Sequence, residues 1–285
     1  MESIQKPKKI TVRDALSVFK DLVSEIKKRT GKIELPYGIK SLDELTHGLH
    51  RKHLCVIGAR TSHGKTSLAN QFALNLLKEN VSVLYVSLEM ADTEILERIV
   101  ANQLKIHAWN LKSGFKEEVD FFIQNQDTIK NILTAEPLIF ANNSGRKISE
   151  IEEMVKTYYP HVLIVDHAQM CSHHEFRSRN EAVGEYVQGL KRIAMQYDVA
   201  VILNSQVNRE GSRNPNQLDF LKYSGELEEC ADIVLQGVWP YRDGESDDLN
   251  AYEITITKQR SGPTAKVHLR YDPRYYRFED SPTEN

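Results

Sequence analysis

Cysteine is scarce in this chain of 285 residues: Cys55, Cys171 and Cys230 stand far apart and form no CxxC pair. That argues against a disulfide framework or a structural zinc site and fits a reducing cytosol. No apolar run approaches the roughly 20 residues that a membrane span needs. The polar start, Met1 to Lys9, lacks the apolar core of a secretory signal. Nor does one sign of charge dominate. Lys and Arg number 37 against 40 Asp and Glu, a net charge of −3, with a pI near 6.4. This excludes a globally basic nucleic-acid coat but not a local basic patch. Internal repeats and low-complexity stretches are missing too. What is left, 40% hydrophobic and 27% charged residues, is ordinary globular usage. The length suits one large domain or two modest ones with a buried core. The expectation is a cytoplasmic, soluble protein.

After a polar tail over residues 1–10, Thr11 reads as a helix N-cap with Asp14 three residues on. Val12, Ala15, Leu16, Phe19, Leu22, Val23 and Ile26 then form one apolar stripe at helical spacing. Lys27-Lys28-Arg29 and Gly31 close it. Two readings stand: a helix packed on its own domain, or one docked on a neighbouring subunit. From Ile33 onward, short β-branched runs at Leu54–Gly58, Val81–Leu88, Pro137–Phe140, Val162–Asp166 and Ala200–Asn204 alternate with helical stretches at Lys65–Lys78, Asp92–Leu104, Ile148–Tyr158 and Glu181–Gln196. This alternation predicts an α/β fold whose parallel sheet is covered on both faces. Past Asp232, Tyr252–Thr257 and Ala265–Arg270 flank Ser261-Gly262-Pro263, predicting an antiparallel hairpin at the sheet edge. The expected division is 1–31, tail and helix, and 32–285, the α/β domain.

The most specific motif is Ala59-Arg60-Thr61-Ser62-His63-Gly64-Lys65-Thr66-Ser67, directly after the strand Leu54–Gly58 and opening a helix. It is a relaxed P-loop with Ala where the strict pattern has Gly. In such a loop backbone N–H groups and the helix N-terminus surround phosphates, Lys65 reaches the β- and γ-phosphates, and the Thr66 hydroxyl holds Mg²⁺. His63 is expected to be a solvent-facing spacer. About a hundred residues downstream, the run Val162-Leu163-Ile164-Val165 ends in Asp166, as a Walker B strand does when it delivers a carboxylate to the metal.

Glu89 follows the next apolar strand after the P-loop helix, where a carboxylate can orient or deprotonate an attacking water; a surface or capping Glu is the plainer alternative. Gln206 follows Val201–Ser205, where an amide can sense a γ-phosphate; a solvated loop residue is the alternative there. Lys258 and Arg260 lie two apart at the end of Tyr252–Thr257. They suit either an edge strand blunted by charge or a pair reaching a phosphate across a subunit boundary. Two polar loops, Ser172–Asn180 with Arg177 and Arg179, and Asn208–Asn216 with Arg209 and Arg213, carry residue types that contact phosphate. His173-His174 lacks a sensibly spaced third ligand, so a metal site there is rejected. The acidic stretch Asp243–Asp248 reads as a solvated loop.

Taken together, these motifs resemble the RecA-type ATPase domain of the DnaB-family hexameric replicative helicases. The resemblance runs from Leu35 to Phe278. Its landmarks are Gly38–Leu49, Ala59–Thr66, Ser87-Leu88-Glu89-Met90, Leu163–Gln169, Ser205–Arg209, Ser224–Asp232 and Lys258-Gln259-Arg260-Ser261-Gly262-Pro263. It implies ATP and Mg²⁺ at Lys65, Thr66 and Asp166, water activation by Glu89, and coupling to DNA loops by Gln206. It further implies that Lys258 and Arg260 act in trans on a neighbour's ATP within a ring. Lys222-Tyr223-Ser224-Gly225 aligns with the family's phosphate-contacting channel loop, so Lys222 and Gly225 join the DNA-binding candidates. Family members usually carry Arg-Glu where Lys222-Tyr223 stands.

A further departure is that about thirty residues precede the ATPase domain, where the family usually has an N-terminal helical collar of about a hundred that contacts primase. The implied chain is a motor core with a linker helix, its collar lost or supplied by another protein. The resemblance thus implies a motor on single-stranded DNA that unwinds duplex during replication, with primase, a loader or a collar-supplying protein as partners. The competing expectation is a RecA-fold switch or helicase loader that does not unwind DNA. A strand-exchange recombinase is disfavoured by the motif wording.

Overall fold

The computed structural model describes residues 14–28, 31–142, 145, 147–172, 176, 178–207 and 224–282. The chain divides into two compact units, Met1–Ile33 and Glu34–Asn285. The first holds helix α1, Ala15–Lys28. Asp14 caps it: its carboxylate accepts the Ser17 N–H at 3.0 Å and its carbonyl accepts the Val18 N–H. Thr11, the expected cap, lies outside the described residues. Leu16, Phe19, Leu22 and Ile26 of the expected stripe are exposed.

The second unit runs α2 (Lys40–Thr46), β1 (Leu54–Ala59), α3 (Lys65–Lys78), β2 (Val83–Ser87), α4 (Asp92–Leu104), α5 (Ala108–Lys112), α6 (Lys116–Ala135), β3 (Leu138–Asn142), α7 (Ile148–Tyr158), β4 (Val162–Asp166), a 3-10 turn (Ala168–Met170), α8 (Arg179–Tyr197), β5 (Ala200–Gln206), α9 (Ser224–Cys230), β6 (Ile233–Val238), α10 (Pro240–Asp243), β7 (Ala251–Gln259), β8 (Ala265–Asp272) and β9 (Arg277–Asp280). The strands form one sheet in the order β3-β2-β4-β5-β1-β6-β7-β8-β9. Pairing is parallel from β3 to β6 and antiparallel from β6 onward.

Near-continuous apolar strands are what a sheet covered on both faces requires, and alternate side chains serve opposite cores. Cys55 and Ile57 of β1, Val162 and Ile164 of β4, and Ala200 and Ile202 of β5 join one core with Leu68, Phe72 and Leu76 of α3. Leu54 and Val56, Leu163 and Val165, and Val201 and Leu203 join the other with Ile151 of α7 and Val187 and Leu190 of α8. At about 1.5–3 kcal/mol for each large aliphatic side chain withdrawn from water, a one-residue slip of any central strand would exchange its two faces and is strongly disfavoured.

The fold class agrees with the sequence expectation, with two corrections. The β7–β8 hairpin is not at the sheet edge, because β9 pairs outside β8. Moreover, α6, a helix of 20 residues, is absent from the helices expected above. It buries only Ile129, so it carries little of the apolar periodicity that announces a helix.

The antiparallel strands support the P-loop from below. Tyr252, Tyr271 and Phe278 pack as an aromatic group, with Tyr271 and Phe278 stacked at 4.4 Å and Tyr252 and Phe278 edge-on at 4.9 Å. The Tyr252 hydroxyl donates to the His63 carbonyl at 2.9 Å. Gly237 on β6 leaves room for that hydroxyl: a methyl there would lie 2.2 Å from Tyr252 Oη. Removing a strand glycine ordinarily favours folding by about 0.5–1 kcal/mol, but forcing an overlap of this size costs about 1–3 kcal/mol. Gly237→Ala is therefore expected to lower the denaturant midpoint of unfolding and to weaken nucleotide binding together, checked by urea unfolding and nucleotide titration.

Candidate active site

The expected P-loop forms at the C-terminal end of β1. A turn closed by the His63 N–H on the Arg60 carbonyl (3.1 Å) leads to Gly64, whose φ of 77° is left-handed and costs glycine nothing. A side chain at Gly64 would also meet the Phe278 ring at 3.3 Å. The first α-helical bond of α3 runs from the Leu68 N–H to the Gly64 carbonyl at 2.8 Å. The N–H groups of Lys65, Thr66 and Ser67 thus have no acceptor within the helix and, with the helix dipole, suit an anion.

Three sequence candidates meet around Lys65. The Thr66 hydroxyl donates to Asp166 Oδ2 at 2.7 Å, bridging helix α3 and strand β4. Asp166 is buried, and its Oδ1 has no hydrogen-bond partner among the described residues. A buried, unpartnered carboxylate oxygen beside a threonine hydroxyl is a hard-oxygen donor set that fits Mg²⁺ completed by phosphate and water oxygens. Burial lowers the pKa of the Lys65 ammonium below the ordinary lysine value, against the opposing pull of Asp166 and Glu89.

Glu89 follows β2, which pairs with β4 so that Ser87 faces Asp166. The Ser87 hydroxyl donates to the Met90 carbonyl (2.5 Å) and accepts the Met90 N–H (3.1 Å), fixing the turn that presents Glu89. Glu89 is exposed, and its Oε2 lies 3.0 Å from Nδ1 of buried His167. Gln206, half-buried at the end of β5, pairs with Ala59 at the mouth of the P-loop.

Other candidates fall elsewhere. Lys258 and Arg260 lie at the opposite edge of the sheet, because β7 runs against β6 and its end pairs with the start of β6. A bulge between Val234 and Leu235 breaks the register there. Arg260 sits one residue past β7. Arg179 opens α8 and its guanidinium donates to the Gln169 carbonyl at 2.5 Å. Gly225 is exposed in the first turn of α9. Arg177, Arg209, Arg213 and Lys222 lie outside the described residues.

His63 is not a solvent-facing spacer. It is 4% exposed, and its Nδ1 accepts the Trp239 N–H at 3.2 Å. That acceptor role puts the neutral ring's proton on Nε2, which lies 3.5 Å from Asp243 Oδ1. Asp243 is correspondingly not part of a solvated loop: its carboxylate is 11% exposed and also accepts from the Arg60 guanidinium. The segment after β6 thus clamps the P-loop through Arg60 and His63.

Two more residues escaped the sequence reading. Gln169 donates to the Ser205 hydroxyl (2.9 Å) and accepts the Gln206 N–H (3.2 Å), tying the turn after β4 to the end of β5. His167 stands against Glu89. Both lie within three residues of Asp166, a position that could have flagged them, whereas Asp243 has no such signal.

Burial is the leading cause that lowers the pKa of His53, His63 and His167 below the ordinary 6.5. The unfolded chain then takes up protons at a pH where the native chain does not, so stability falls as pH drops through that ordinary value. The unfolding midpoint should decline between about pH 7.5 and about pH 5.5, and more shallowly in the His63→Gln/His167→Gln double variant. An equal slope in both proteins contradicts this assignment.

The sequence model of the DnaB-like helicase C terminal domain matches residues 34–280. The chain is 30% identical over 282 residues to the replicative DNA helicase DnaC of Bacillus subtilis (strain 168), covering 94% of this chain and 61% of that protein. It is 28% identical over 290 residues to a probable replicative DNA helicase of Trieres chinensis, covering 94% and 63%. The chain thus spans about three fifths of these relatives. Two solved structures share its fold at 26% identity over 95% of this chain. One, an ATPase domain solved by itself, is matched over all of its length with a TM-score of 0.85. The other, a DnaB-like replicative helicase studied with its interactions with primase, is matched over 68% with a TM-score of 0.82. The chain belongs to the DnaB-like helicase C terminal domain family.

Proposed function

We propose that this chain is an ATP-dependent, ring-forming motor that translocates on single-stranded DNA and unwinds duplex during replication. One observation carries this reading. Lys65, Thr66, Glu89 and Asp166 lie at one edge of the sheet, and Lys258 and Arg260 at the other. A cation pair so placed is far from its own P-loop and has a phosphate to act on only in a second copy of the chain. Repetition of that contact closes a ring, and the family reading makes it hexameric. The exposed stripe of α1 is assigned to docking on an adjacent subunit.

Within each site, residues 59–67 cradle the triphosphate and Lys65 neutralises its β- and γ-oxygens. Thr66 and Asp166 would hold Mg²⁺, which when bound offsets charge developing on those oxygens. Glu89 orients the attacking water and accepts its proton, with His167 alongside fixing the carboxylate. Gln206 passes the state of the γ-phosphate to the following loop. Arg177, Arg179, Arg209, Arg213, Lys222 and Gly225 are assigned to phosphate contacts on DNA. Primase, a loader or a collar-supplying protein are proposed partners.

Arg260→Ala should abolish steady-state ATP hydrolysis, by roughly 10³-fold or more, while leaving ATP affinity within a few-fold of the parent. Forked-duplex unwinding should be lost with it. Undiminished hydrolysis would remove the trans-acting ring site. Normal hydrolysis without unwinding by the parent chain would favour the switch or loader.

A further inference from the structure

Arg260 is held by a buried carboxylate whose own anchors lie on two other elements. Asp232, the residue before β6, is 4% exposed. Its Oδ2 accepts the Leu54 N–H at 2.7 Å and the Lys191 ammonium at 2.5 Å, and its Oδ1 lies 3.3 Å from Arg260 Nη1. Its carbonyl accepts the Arg260 N–H at 2.9 Å. The other guanidinium nitrogen, Nη2, donates to the Glu229 carbonyl near the end of α9, again at 2.9 Å. Lys191, from α8, also donates to the Lys52 carbonyl at 2.9 Å. Main chain and side chain of Arg260 are thus tied down, yet 49% of the side chain stays open to solvent.

Stability is a poor reason for this arrangement. A buried carboxylate and its cations give up hydration worth several kcal/mol per ion, and well-packed apolar residues in their place are often as stable or more so. Nor is the carboxylate needed to join β1 to β6 at this edge, because the Asp232 N–H already donates to the Leu54 carbonyl at 2.9 Å. What a fixed carboxylate does supply is a direction. An exposed arginine side chain carries about 2 kcal/mol of rotamer entropy, which a trans-acting cation would otherwise lose at each encounter with a phosphate. The bulge between Val234 and Leu235 means that strand alternation does not set where Arg260 points.

We propose that Asp232, braced by Lys191 and the Leu54 N–H, is a positioning residue that preorganises Arg260 for the nucleotide of the neighbouring subunit. This rests on the trans role of Arg260 proposed above. Asp232 touches neither nucleotide nor metal and acts only through the guanidinium it holds.

The test uses mixed rings of the full chain. Lys65→Ala subunits lack a working P-loop but donate Arg260; Arg260→Ala subunits keep the P-loop and lack the donor. Mixing the two should restore hydrolysis at interfaces that combine one good half from each. Asp232→Asn is then added to one chain or the other. The expected result is a loss in kcat of roughly tenfold or more with little change in KM when the change sits on the Lys65→Ala chain, and no such loss when it sits on the Arg260→Ala chain.

Equal losses on both chains would make Asp232 merely structural and overturn the proposal, as would no loss on either. Failure of the mixture to regain activity, with mixed rings shown by differential tagging, overturns the trans reading itself and the positioning role with it. Should Asp232→Asn lower the unfolding midpoint enough to unfold the chain, Lys191→Met is scored by the same asymmetry.

Discussion

Strand direction sorts the chemistry of this molecule. Because β1, β2, β4 and β5 run parallel, their C-terminal ends fall on one edge of the sheet, and Lys65, Glu89, Asp166 and Gln206 arrive there with them. Because β7 runs against β6, its end reaches the other edge and carries Lys258 and Arg260 away from their own P-loop. No loop rearrangement of plausible size exchanges the two sets, since each is fixed by strands whose alternate side chains are buried in separate cores. The separation of the nucleotide elements from the cation pair is therefore built into the pairing of the sheet.

Within that frame the P-loop is held from two directions. From the nucleotide side, the Thr66–Asp166 hydrogen bond joins α3 to β4 across the intervening strand β5. From the other, Tyr252 bonds the His63 carbonyl, the Trp239 N–H bonds its ring, and Asp243 takes Arg60. A loop of successive backbone N–H groups binds an anion well only if those groups are fixed in advance, because ordering them at binding would cost about 1–2 kcal/mol per residue. The aromatic group of Tyr252, Tyr271 and Phe278 supplies a floor for this without adding polar groups that need partners.

Much of this was legible in the chain itself, and for physical reasons. Continuous β-branched runs can only be strands buried on both faces, so β1, β4 and β5 declared themselves, and Gly64-Lys65-Thr66 between a strand and a helix allowed one local geometry. The same logic carried Asp166 and Glu89, since a carboxylate at the end of a buried strand has one edge to occupy. What stayed hidden was of two kinds. The helix α6 buries one side chain and shows no clear period. His63, Asp243, Asp232 and Lys191 matter through partners as far as 183 positions away, a kind of contact that residue type and local spacing do not encode. An acidic stretch looks solvated until the sheet places one of its carboxylates against an arginine of the P-loop.

The central claim is that nucleotide hydrolysis at this site serves movement along a nucleic-acid strand. It is tested most directly by steady-state ATP hydrolysis measured with and without single-stranded DNA, with Lys65→Ala as the blank. The account predicts turnover that rises strongly with DNA and vanishes in the blank. Turnover that is lost in the blank yet indifferent to DNA would contradict the motor and leave a nucleotide switch that answers to a protein partner.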